Sequence, residues 1–486
     1  MTAELLARFA GPVAASGLGL VLLAAPRQVR LGGLVVWALG MALFLPLLAP
    51  SGHLALGAVA IVAGACVAVA LAFLFEWQPW ALAFLTLAAV PARFPVTVGD
   101  VSANLLVPLY GIIAGAAVGL AWSLVRGDAR RRELGPLSWP LALFVGWLGL
   151  SALWTNDPRE GAVQLFFFVL PFPVLALALA RLPWSERALG WLFRLLGAMA
   201  IFFAAVGLWQ WMTRDVFWNP KVIAANAYAP FFRVNSLFWD PSIYGRFLVV
   251  AILAALVLLL FASWGRWDVW LIVGIGGLWL GLLVSFSQSS FAALIAGVAL
   301  AAALAWRWRA AAAVAVVSVL MIATGLGMPK SDHADASTVV AQSSELERAT
   351  RGRSDLVWNG LRIAARHPVA GVGIGGFEQA YLERYRPPPG LDNPVSHTTP
   401  ITVVAETGLI GLGLFAWLLA VAAIVAFRRA REGPANVALA GIAAGVGLAA
   451  ILVHSLFYNA FLEDPMTWGL LALAALAAAT SAAARA

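Results

Sequence analysis

The residues His397-Thr398-Thr399-Pro400 stand where a long polar stretch gives way to a new apolar run. The polar stretch opens at Met328-Pro329-Lys330, and the sequence on either side of it is almost continuously apolar. A chain that crosses a membrane holds such a segment outside the bilayer, because the hydrocarbon offers no water to its polar groups. The stretch therefore predicts membrane helices before residue 329 and after residue 399.

The composition of the whole chain supports this prediction. Of the 486 residues, 62% are hydrophobic and 11% are charged, and the mean hydropathy is +0.90. Soluble domains are about 45–50% apolar and about 25% charged. Because a span needs about 20 apolar residues, we predict an all-α polytopic membrane protein with about 14 transmembrane helices and a helical extracytoplasmic cap.

Three parts of the chain are expected from this pattern. Residues 1–328 are predicted to hold transmembrane helices 1 to about 12, and residues 400–486 the last three. Residues 329–399 are predicted to form an extracytoplasmic loop that contains short helices. The short apolar run 79–95 contains a proline and an arginine, so we expect a half-span or a re-entrant piece there.

Charge in the connectors predicts the orientation. Lys and Arg favour the cytoplasmic side, and they cluster at 126–133, 307–309 and 428–431. The alternate connectors, including 155–160, 213–240 and 329–399, are then expected to face outward. The loop 329–399 carries eight basic and eight acidic side chains, and this neutrality suits an outward segment. The net charge of +8 thus belongs to connectors, and nucleic acid is not expected as a partner.

Local patterns predict structure inside the loop. Residues 354–366 have the periodicity of a short amphipathic helix. His367-Pro368 is expected to end it, because the residue before a proline is disfavoured in the α region. The glycines of 371–376 indicate a tight turn, and residues 377–386 are expected to form a second short helix with its aromatic residues on one face.

Four arginines of the loop form a candidate anion-binding site: Arg351, Arg353, Arg362 and Arg366. On a helix, Arg362 and Arg366 lie one turn apart on one face. Guanidinium groups at close quarters match the geometry of a diphosphate or a carboxylate. The alternative is that each arginine pairs with an acidic residue or extends towards the membrane surface.

The histidines offer a candidate proton acceptor. His397 stands at the mouth of a span, where a histidine can accept a proton near neutral pH; capping of the helix is the alternative. His454 lies in an apolar run and is expected to be a hydrogen-bonded histidine between helices. The single Cys66 excludes a disulfide, and no motif with metal-ligand spacing is present, so no metal and no cofactor are predicted.

A second outward site is expected at Arg233-Val234-Asn235-Ser236-Leu237-Phe238-Trp239-Asp240-Pro241-Ser242. Asp240 before Pro241 is a helix N-cap signal, so structure alone explains this residue. Arg233 has no such explanation. The surrounding aromatic residues are usual at a membrane interface, and they would also suit a sugar or a prenyl chain.

Several of these segments together resemble the bacterial O-antigen ligase and O-antigen polymerase family of membrane glycosyltransferases. The segments, in order, are Leu150 to Pro158, Arg233 to Ser242, Ser285 to Ser290, Arg353 with Trp358, Arg366 to Gly373, and His397-Thr398 with Gly408 and Gly411. Gln288 stands where the family often has arginine, and Thr398 where it more often has Asn, Ser or Gln.

The resemblance implies a GT-C-like glycosyltransferase in the bacterial inner (cytoplasmic) membrane, with its active site facing the periplasm. It implies an undecaprenyl-diphosphate-linked oligosaccharide as donor, a glycan acceptor and no metal. His397 would be the general base, and Arg353 and Arg233 would hold the donor diphosphate; Asp240 accompanies Arg233 in its motif. A chain-length regulator protein is a further candidate partner beside the lipid bilayer.

The activity has three alternatives at this point. We favour a polymerase, because the predicted spans are more numerous and the loop is longer than we expect of a ligase that transfers the glycan to lipid A-core. The rival from another class is a transporter or flippase of lipid-linked sugars. Transporters place ionisable residues and broken helices at mid-membrane, whereas the charged residues here gather in outward loops.

Overall fold

A computed structural model describes most of the chain. The described residues are 3–23, 26–48, 54–98, 101–128, 133–228, 231–262, 265, 268–306, 355–385, 396–428 and 435–483. Arg351, Arg353 and the predicted span within 309–328 lie outside the described residues. All statements below concern the described part of the chain.

Helices dominate the described residues. The first half contains α1 to α8, which are Ala3–Leu22, Arg27–Leu48, Leu54–Trp77, Trp80–Ala89, Val107–Val125, Ser138–Ser151, Pro158–Gln164 and Phe172–Ala180. The second half contains α9 to α18, which are Glu186–Thr213, Pro220–Tyr228, Pro241–Phe261, Asp268–Ser285, Gln288–Trp306, 355–366, Phe377–Leu382, Thr399–Arg428, Ala435–His454 and Pro465–Ala483. A 3₁₀ turn, Gly135–Leu137, precedes α6, and a π-helical segment, Leu165–Val169, joins α7 to α8.

The predicted class is confirmed: within the described residues, ten helical segments are long and apolar enough to cross a membrane. Shorter apolar helices occur at Ile61–Trp77, Trp80–Ala89 and Pro465–Leu476. The predicted total of about 14 also counted the run 309–328, which lies outside the described residues. The chain is therefore a multi-pass helical membrane protein.

One expectation about the early spans needs correction. The predicted spans 79–95 and 103–125 are interrupted by an antiparallel hairpin of β1, Phe94–Val98, and β2, Val101–Leu105, in which Phe94 pairs with Leu105. Helix α4 therefore ends at Ala89 and α5 begins only at Val107. The signal was present, because β-branched residues flank the dipeptide Gly99-Asp100, which favours a hairpin.

The described chain divides into two compact units. The first unit comprises residues 1–184, 355–433 and 459–486. In it α1 packs against α2 and α6, α16 packs against α6 and α18, and α18 packs against α8. Small residues allow close approach: a Cβ placed on Gly17 would lie 2.6 Å from the carbonyl oxygen of Gly33, as is typical of helix pairs in membranes.

Ion pairs gather at one end of this first unit. Arg181 bonds to Asp128 at 2.6 Å and also to Glu133, and Arg30 bonds to Glu133 at 3.0 Å. This is the end at which sequence places the cytoplasm. Since α2 begins beside Arg30, α1 begins at the opposite end, where Arg8 donates to the carbonyl of Leu153 at 3.0 Å. The start of α1 thus lies at the end of the first unit that holds the 152–160 connector.

The second unit comprises residues 185–354 and 434–458. Its centre is α11, whose side chains are buried along most of its length. Helices α12, α13 and α17 pack around α11, and α9 packs on α12 and α11. The polar side chains of the Arg233–Ser242 motif lie just before α11, at its N-terminal end.

Candidate functional site

Helix α16 breaks at Gly408. Its φ of 68° and ψ of −169° lie outside the helical region, and a Cβ at this position would lie 2.1 Å from the carbonyl oxygen of Val369. Only glycine adopts this conformation without a steric cost. The break lies in a segment apolar enough to span a membrane, where each backbone group without a partner would cost free energy.

The turn after helix α14 supplies partners for the carbonyl groups before the break. The amide of Val372 donates to the carbonyl of Ala405 at 3.0 Å, and that of Gly373 donates to Glu406 at 2.8 Å. The carbonyl of Thr407 accepts the indole N–H of Trp147 at 2.8 Å. The carbonyl groups released by the broken helix are therefore satisfied by the turn and by one tryptophan.

The same turn satisfies the amides that follow the break. Leu409 donates to the carbonyl of Pro368 at 2.7 Å, and Ile410 donates to Val369 at 3.4 Å. These two amides open the second half of α16 and would otherwise lack acceptors, as at any helix N-terminus. The turn and the break thus complete each other's hydrogen bonding.

The predicted glycine turn is present at 371–376. Gly371, Gly373 and Gly375 all have positive φ. The turn also docks on the connector before α7: Thr155 Oγ1 donates to the carbonyl of Ile374 at 2.7 Å, and a Cβ on Gly373 would lie 2.3 Å from the Cα of Thr155. The turn is therefore held from two sides, by α16 and by the 151–161 segment.

The predicted helix at 354–366 is observed as α14, 355–366, and it ends before His367-Pro368 as expected. Its apolar face joins a small core with α15 and the start of α16. The buried members of this core are Leu356, Ile363, Ala364, Val372, Phe377, Ala380, Tyr381, Val404 and Ala405. A Cβ on Gly360 would lie 2.7 Å from Cγ2 of Ile401, so α14 is in close contact with the first turn of α16.

The polar face of α14 carries two of the predicted arginines. Arg362 and Arg366 are both exposed. Arg362 donates to Asn359 at 3.1 Å and Arg366 donates to the hydroxyl of Tyr385 at 3.4 Å, so neither is held by a carboxylate in these hydrogen bonds. The predicted aromatic face of α15 is also observed, since the rings of Phe377, Tyr381 and Tyr385 follow one another at 6.2 and 5.2 Å.

His397 lies two residues before α16 and is half-buried. Its φ of 55° is in the left-handed region. Such strain persists where neighbouring structure fixes it, and it is frequent at functional sites. Here Ser396 supplies the fixation, because its hydroxyl donates to the carbonyl of Thr398 at 3.0 Å and accepts the amide of Thr398 at 3.2 Å.

Arg233 belongs to the second unit and is half-buried. Its backbone N–H donates to Asn226 Oδ1 at 2.9 Å, and its Nε donates to the carbonyl of Ser285 at 3.3 Å. The next residues turn sharply at Ser236, whose φ is 52° and whose amide donates to Gln210 at 2.7 Å. The segments Arg233–Ser242 and Ser285–Ser290, noted separately in sequence, therefore meet.

Asp240 has the structural role expected of it. Its side chain accepts the amide of Ser242 at 2.7 Å and caps α11, which starts at Pro241. This contact stabilises the helix N-terminus. The geometry gives Asp240 no other assigned partner, and its predicted role in substrate binding stays a prediction.

His454 is the hydrogen-bonded histidine that was predicted between helices. It is fully buried, and its Nε2 lies 3.0 Å from Ser289 Oγ and 3.2 Å from the carbonyl oxygen of Ser242. A carbonyl can only accept, so the neutral ring carries its proton on Nε2. The hydroxyls of Ser287 and Ser290, 2.8 Å apart, extend this buried network.

Acidic side chains surround the turn in the first unit. Glu160, Glu406 and Glu463 interact electrostatically, and the last two line a cavity of about 50 Å³ together with Thr399 and Thr402. A cavity needs about 10–15 Å³ of such volume to hold one water, so this cavity has room for a few water molecules. A wider apolar groove of about 670 Å³ lies at the other end of the unit, beside Arg126 and Arg181.

One acidic residue of the cap has a shifted pKa. Burial, reinforced by the nearby carboxylate of Asp157, raises the pKa of Glu378 above its ordinary value of 4.5. Both causes act on the charged form of the side chain, which loses hydration and gains a neighbour of like charge. The turn and α15 therefore bring together carboxyl groups that are far apart in the sequence.

With this geometry in place, one comparison with known families gives a match. Residues 274–416 match the family model described as O-antigen ligase. This part of the chain is similar to O-antigen ligases. The match confirms the predicted relationship to the O-antigen ligase and polymerase family, and it supports glycosyl transfer as the class of reaction.

The matched stretch contains His397, helix α14, the glycine turn and the break in α16. Arg233 and Asp240 precede it in the sequence. None of the curated proteins matches the chain. Similarity to this family implies a lipid-linked glycan and a lipid bilayer as partners.

Sequence reasoning missed the parts of the site that depend on the break in α16. From the sequence, Gly408 and Gly411 are identified only as spaced glycines of the family resemblance. The available signal was the sequence Glu406-Thr407-Gly408, in which a carboxylate and a glycine interrupt an apolar run. The hydrogen-bond partners of the break come from a distant segment, and the local sequence of α16 does not reveal that segment.

Proposed function

We propose that the protein is a metal-independent membrane glycosyltransferase that polymerises undecaprenyl-diphosphate-linked repeat units on the outer face of the inner membrane. The match of residues 274–416 to the O-antigen ligase family supports the reaction class. The donor, the polymerase activity, the periplasmic orientation and the roles of the residues are parts of this proposal.

One observation carries the proposal for the site. Helix α14, with the exposed Arg362 and Arg366, packs directly on the first turn of α16, which follows His397 by two residues. A candidate base and a pair of guanidinium groups thus belong to one small folded cap. Arg351 and Arg353 precede this helix in the sequence and lie outside the described residues, and we propose that they also bind the donor diphosphate.

The proposed chemistry is a displacement at the anomeric carbon of the donor sugar. His397 removes the proton of the acceptor hydroxyl as its oxygen forms the new glycosidic bond. The bond between the anomeric carbon and the diphosphate oxygen breaks, and its electron pair leaves with the polyprenyl diphosphate. Guanidinium groups stabilise the charge that develops on this leaving group. We assign that role to Arg353, Arg351, Arg362 and Arg366. For the second unit, we propose that Arg233 and the neighbouring Asp240 bind substrate.

The ligase alternative is supported by the matching family, which is described as O-antigen ligase. In that case the acceptor is lipid A-core and the chemistry is otherwise the same. The polymerase is favoured by the large number of apolar helices. A chain-length regulator protein would be an additional partner only of a polymerase.

The deciding experiment uses purified protein in liposomes with a lipid-linked oligosaccharide. Longer lipid-linked products formed from this donor alone would establish the polymerase. Products formed only after lipid A-core is added would establish the ligase. Movement of the donor across the bilayer without any new glycosidic bond would instead establish the transporter and overturn the proposal. Liposomes without protein serve as the control in each arm.

A further inference from the structure

An amphipathic groove lies at the end of the first unit that holds the ion pairs of Arg181. Its volume is about 670 Å³, and residues of α3, α5 and the last turn of α8 contribute to its lining. Most of the lining is apolar and includes Phe73 and Leu120. The charged residues of the lining are Glu76, Arg126, Asp128 and Arg181. The proposed transfer reaction uses none of these residues.

The apolar part of the groove lies beside two apolar helices. Helices α3 and α5 are in contact at Gly115, where a Cβ would lie 2.6 Å from the Cβ of Leu71. Near this contact, Phe73 of α3 and Trp122 of α5 line the groove and are exposed. Helix α5 is long and apolar enough to cross a membrane, so its exposed apolar side chains meet hydrocarbon. A groove of this size and polarity can hold the chains of one lipid.

Two ion pairs at the charged end of the groove differ in how accessible they are. The pair of Arg181 with Asp128 is mostly buried, and the exposed fractions of the side chains are 8% and 17%. The pair of Arg126 with Glu76 is open, and its fractions are 59% and 44%. The Arg126 guanidinium also lies 4.6 Å from the ring centroid of Trp122. Because an exposed ion pair contributes little to stability, a ligand that bonds to both partners can replace it.

We propose that this groove binds one phospholipid with a phosphoethanolamine head group. Its acyl chains occupy the apolar part, its phosphate accepts hydrogen bonds from Arg126, and its ammonium donates to Glu76. Charge complementarity favours this head group, because one with only a negative charge would bond to Arg126 and leave Glu76 without a cation. A phosphocholine head group has no N–H to donate. The site is independent of the proposed function, since no glycan takes part.

Lipid binding to the purified full chain in detergent tests the head group. Native mass spectrometry counts the lipids bound during titration with dioleoyl phosphatidylethanolamine or dioleoyl phosphatidylglycerol, which have identical chains. We expect the first phosphatidylethanolamine to bind about tenfold more tightly, because a hydrogen bond to a charged group contributes about that factor. Equal affinities, or tighter binding of phosphatidylglycerol, would overturn the proposal.

Two substitutions in the open ion pair test the two halves of the head group. Glu76→Gln removes the partner of the ammonium, so the preference for phosphatidylethanolamine should disappear. Arg126→Gln removes the partner of the phosphate and should weaken the binding of both lipids about tenfold. Arg187→Gln, at an exposed position outside the groove, is the control and should bind both lipids as wild type does. A Glu76→Gln protein that keeps the full preference would refute the assigned pairing.

A third substitution fills the apolar part of the groove. Gly119 lines the groove, and a Cβ there would have no neighbour within 4 Å among the described residues, so Gly119→Phe can fill the space without a clash. This variant should lose the tightly bound lipid. Gly64→Phe, at a similarly open glycine of α3 outside the groove, should keep it.

Thermal unfolding gives a second measurement of the same site. Phosphatidylethanolamine should raise the Tm of wild type and of Gly64→Phe but not of Gly119→Phe, because a ligand stabilises the state that it binds. Unchanged lipid affinity in Gly119→Phe would contradict the proposed position of the chains. The two glutamine variants change exposed side chains, so they test the head group even if Gly119→Phe fails to fold.

Discussion

The amide of Leu409 donates to the carbonyl of Pro368 at 2.7 Å, across forty residues of sequence. Leu409 opens the second half of a membrane helix, and Pro368 ends a helix of the cap. Because proline cannot donate through its own nitrogen, Pro368 offers this turn an acceptor only. The bond shows that the cap is part of the folded membrane segment rather than an appendage to it.

The conformation of Gly408 gives a direct test of the break. Gly408→Ala places a Cβ against the carbonyl of Val369 in a left-handed conformation, which costs about 1–3 kcal/mol from strain alone. We expect a clearly lower Tm in detergent and loss of glycan transfer. Gly413→Ala, in the same helix with open space around it, should leave both unchanged. An unaltered Tm for Gly408→Ala would refute the importance of the break.

Replacement of His397 separates chemistry from backbone strain. Asn tolerates the left-handed conformation and cannot act as a base, so His397→Asn should fold normally and lose about 10²–10⁴-fold in transfer rate. His397→Val should also destabilise the protein, because a β-branched residue is strained at this φ. His367→Asn, at an exposed position after α14, is the control. Transfer at the wild-type rate by His397→Asn would exclude the general base role.

The buried histidine of the second unit should matter for stability rather than for chemistry. His454→Leu removes the ring nitrogen that contacts the Ser289 hydroxyl and the Ser242 carbonyl, at a cost of about 1 kcal/mol for each hydrogen bond lost, since Ser287 and Ser290 still contact these groups. His454→Gln, which retains a donor, should lose less. Thermal unfolding of the two variants measures the difference. A larger loss for Gln than for Leu would contradict the assigned donor role of Nε2.

The raised pKa of Glu378 predicts a pH dependence of stability. At a pH below its ordinary pKa of 4.5, the Glu378 side chain is protonated in both the folded and the unfolded protein, so it does not lower the free energy of unfolding. As the pH rises through 4.5 towards the folded-state pKa, the unfolded chain ionises first and folded stability falls. Glu378→Gln should therefore raise the Tm at pH 7 and have no effect at pH 4. Glu383→Gln, at an exposed position in the same segment, should show no such pattern.

Much of this arrangement could be predicted where local physics decides it. The apolar runs predicted the membrane helices, the Asp240-Pro241 pair predicted the start of α11, and His367-Pro368 predicted the end of α14. Each of these signals acts through neighbours in sequence, by hydrophobic burial, capping or the steric effect of proline.

What could not be predicted depends on partners far apart in the chain. The broken helix α16 is stable only because the segment 368–377 satisfies it, and apolar periodicity carries no information about that segment. The 94–105 hairpin was overlooked for a different reason: its strands lie inside apolar runs that look like spans. The roles of Arg233 and Arg353 stay predictions, the latter outside the described residues.

The break in α16 also constrains how the protein is made. Residues 368–377 leave the ribosome before helix α16, which they complete. When they emerge, the carbonyl groups of α16 that accept their amides have not yet been synthesised. In a nascent chain that ends just after residue 399, the turn has no α16 to bond to. Conversely, α16 without the turn would enter the bilayer with unsatisfied backbone groups. Insertion of the helix and folding of the cap are therefore one joint event, late in biogenesis.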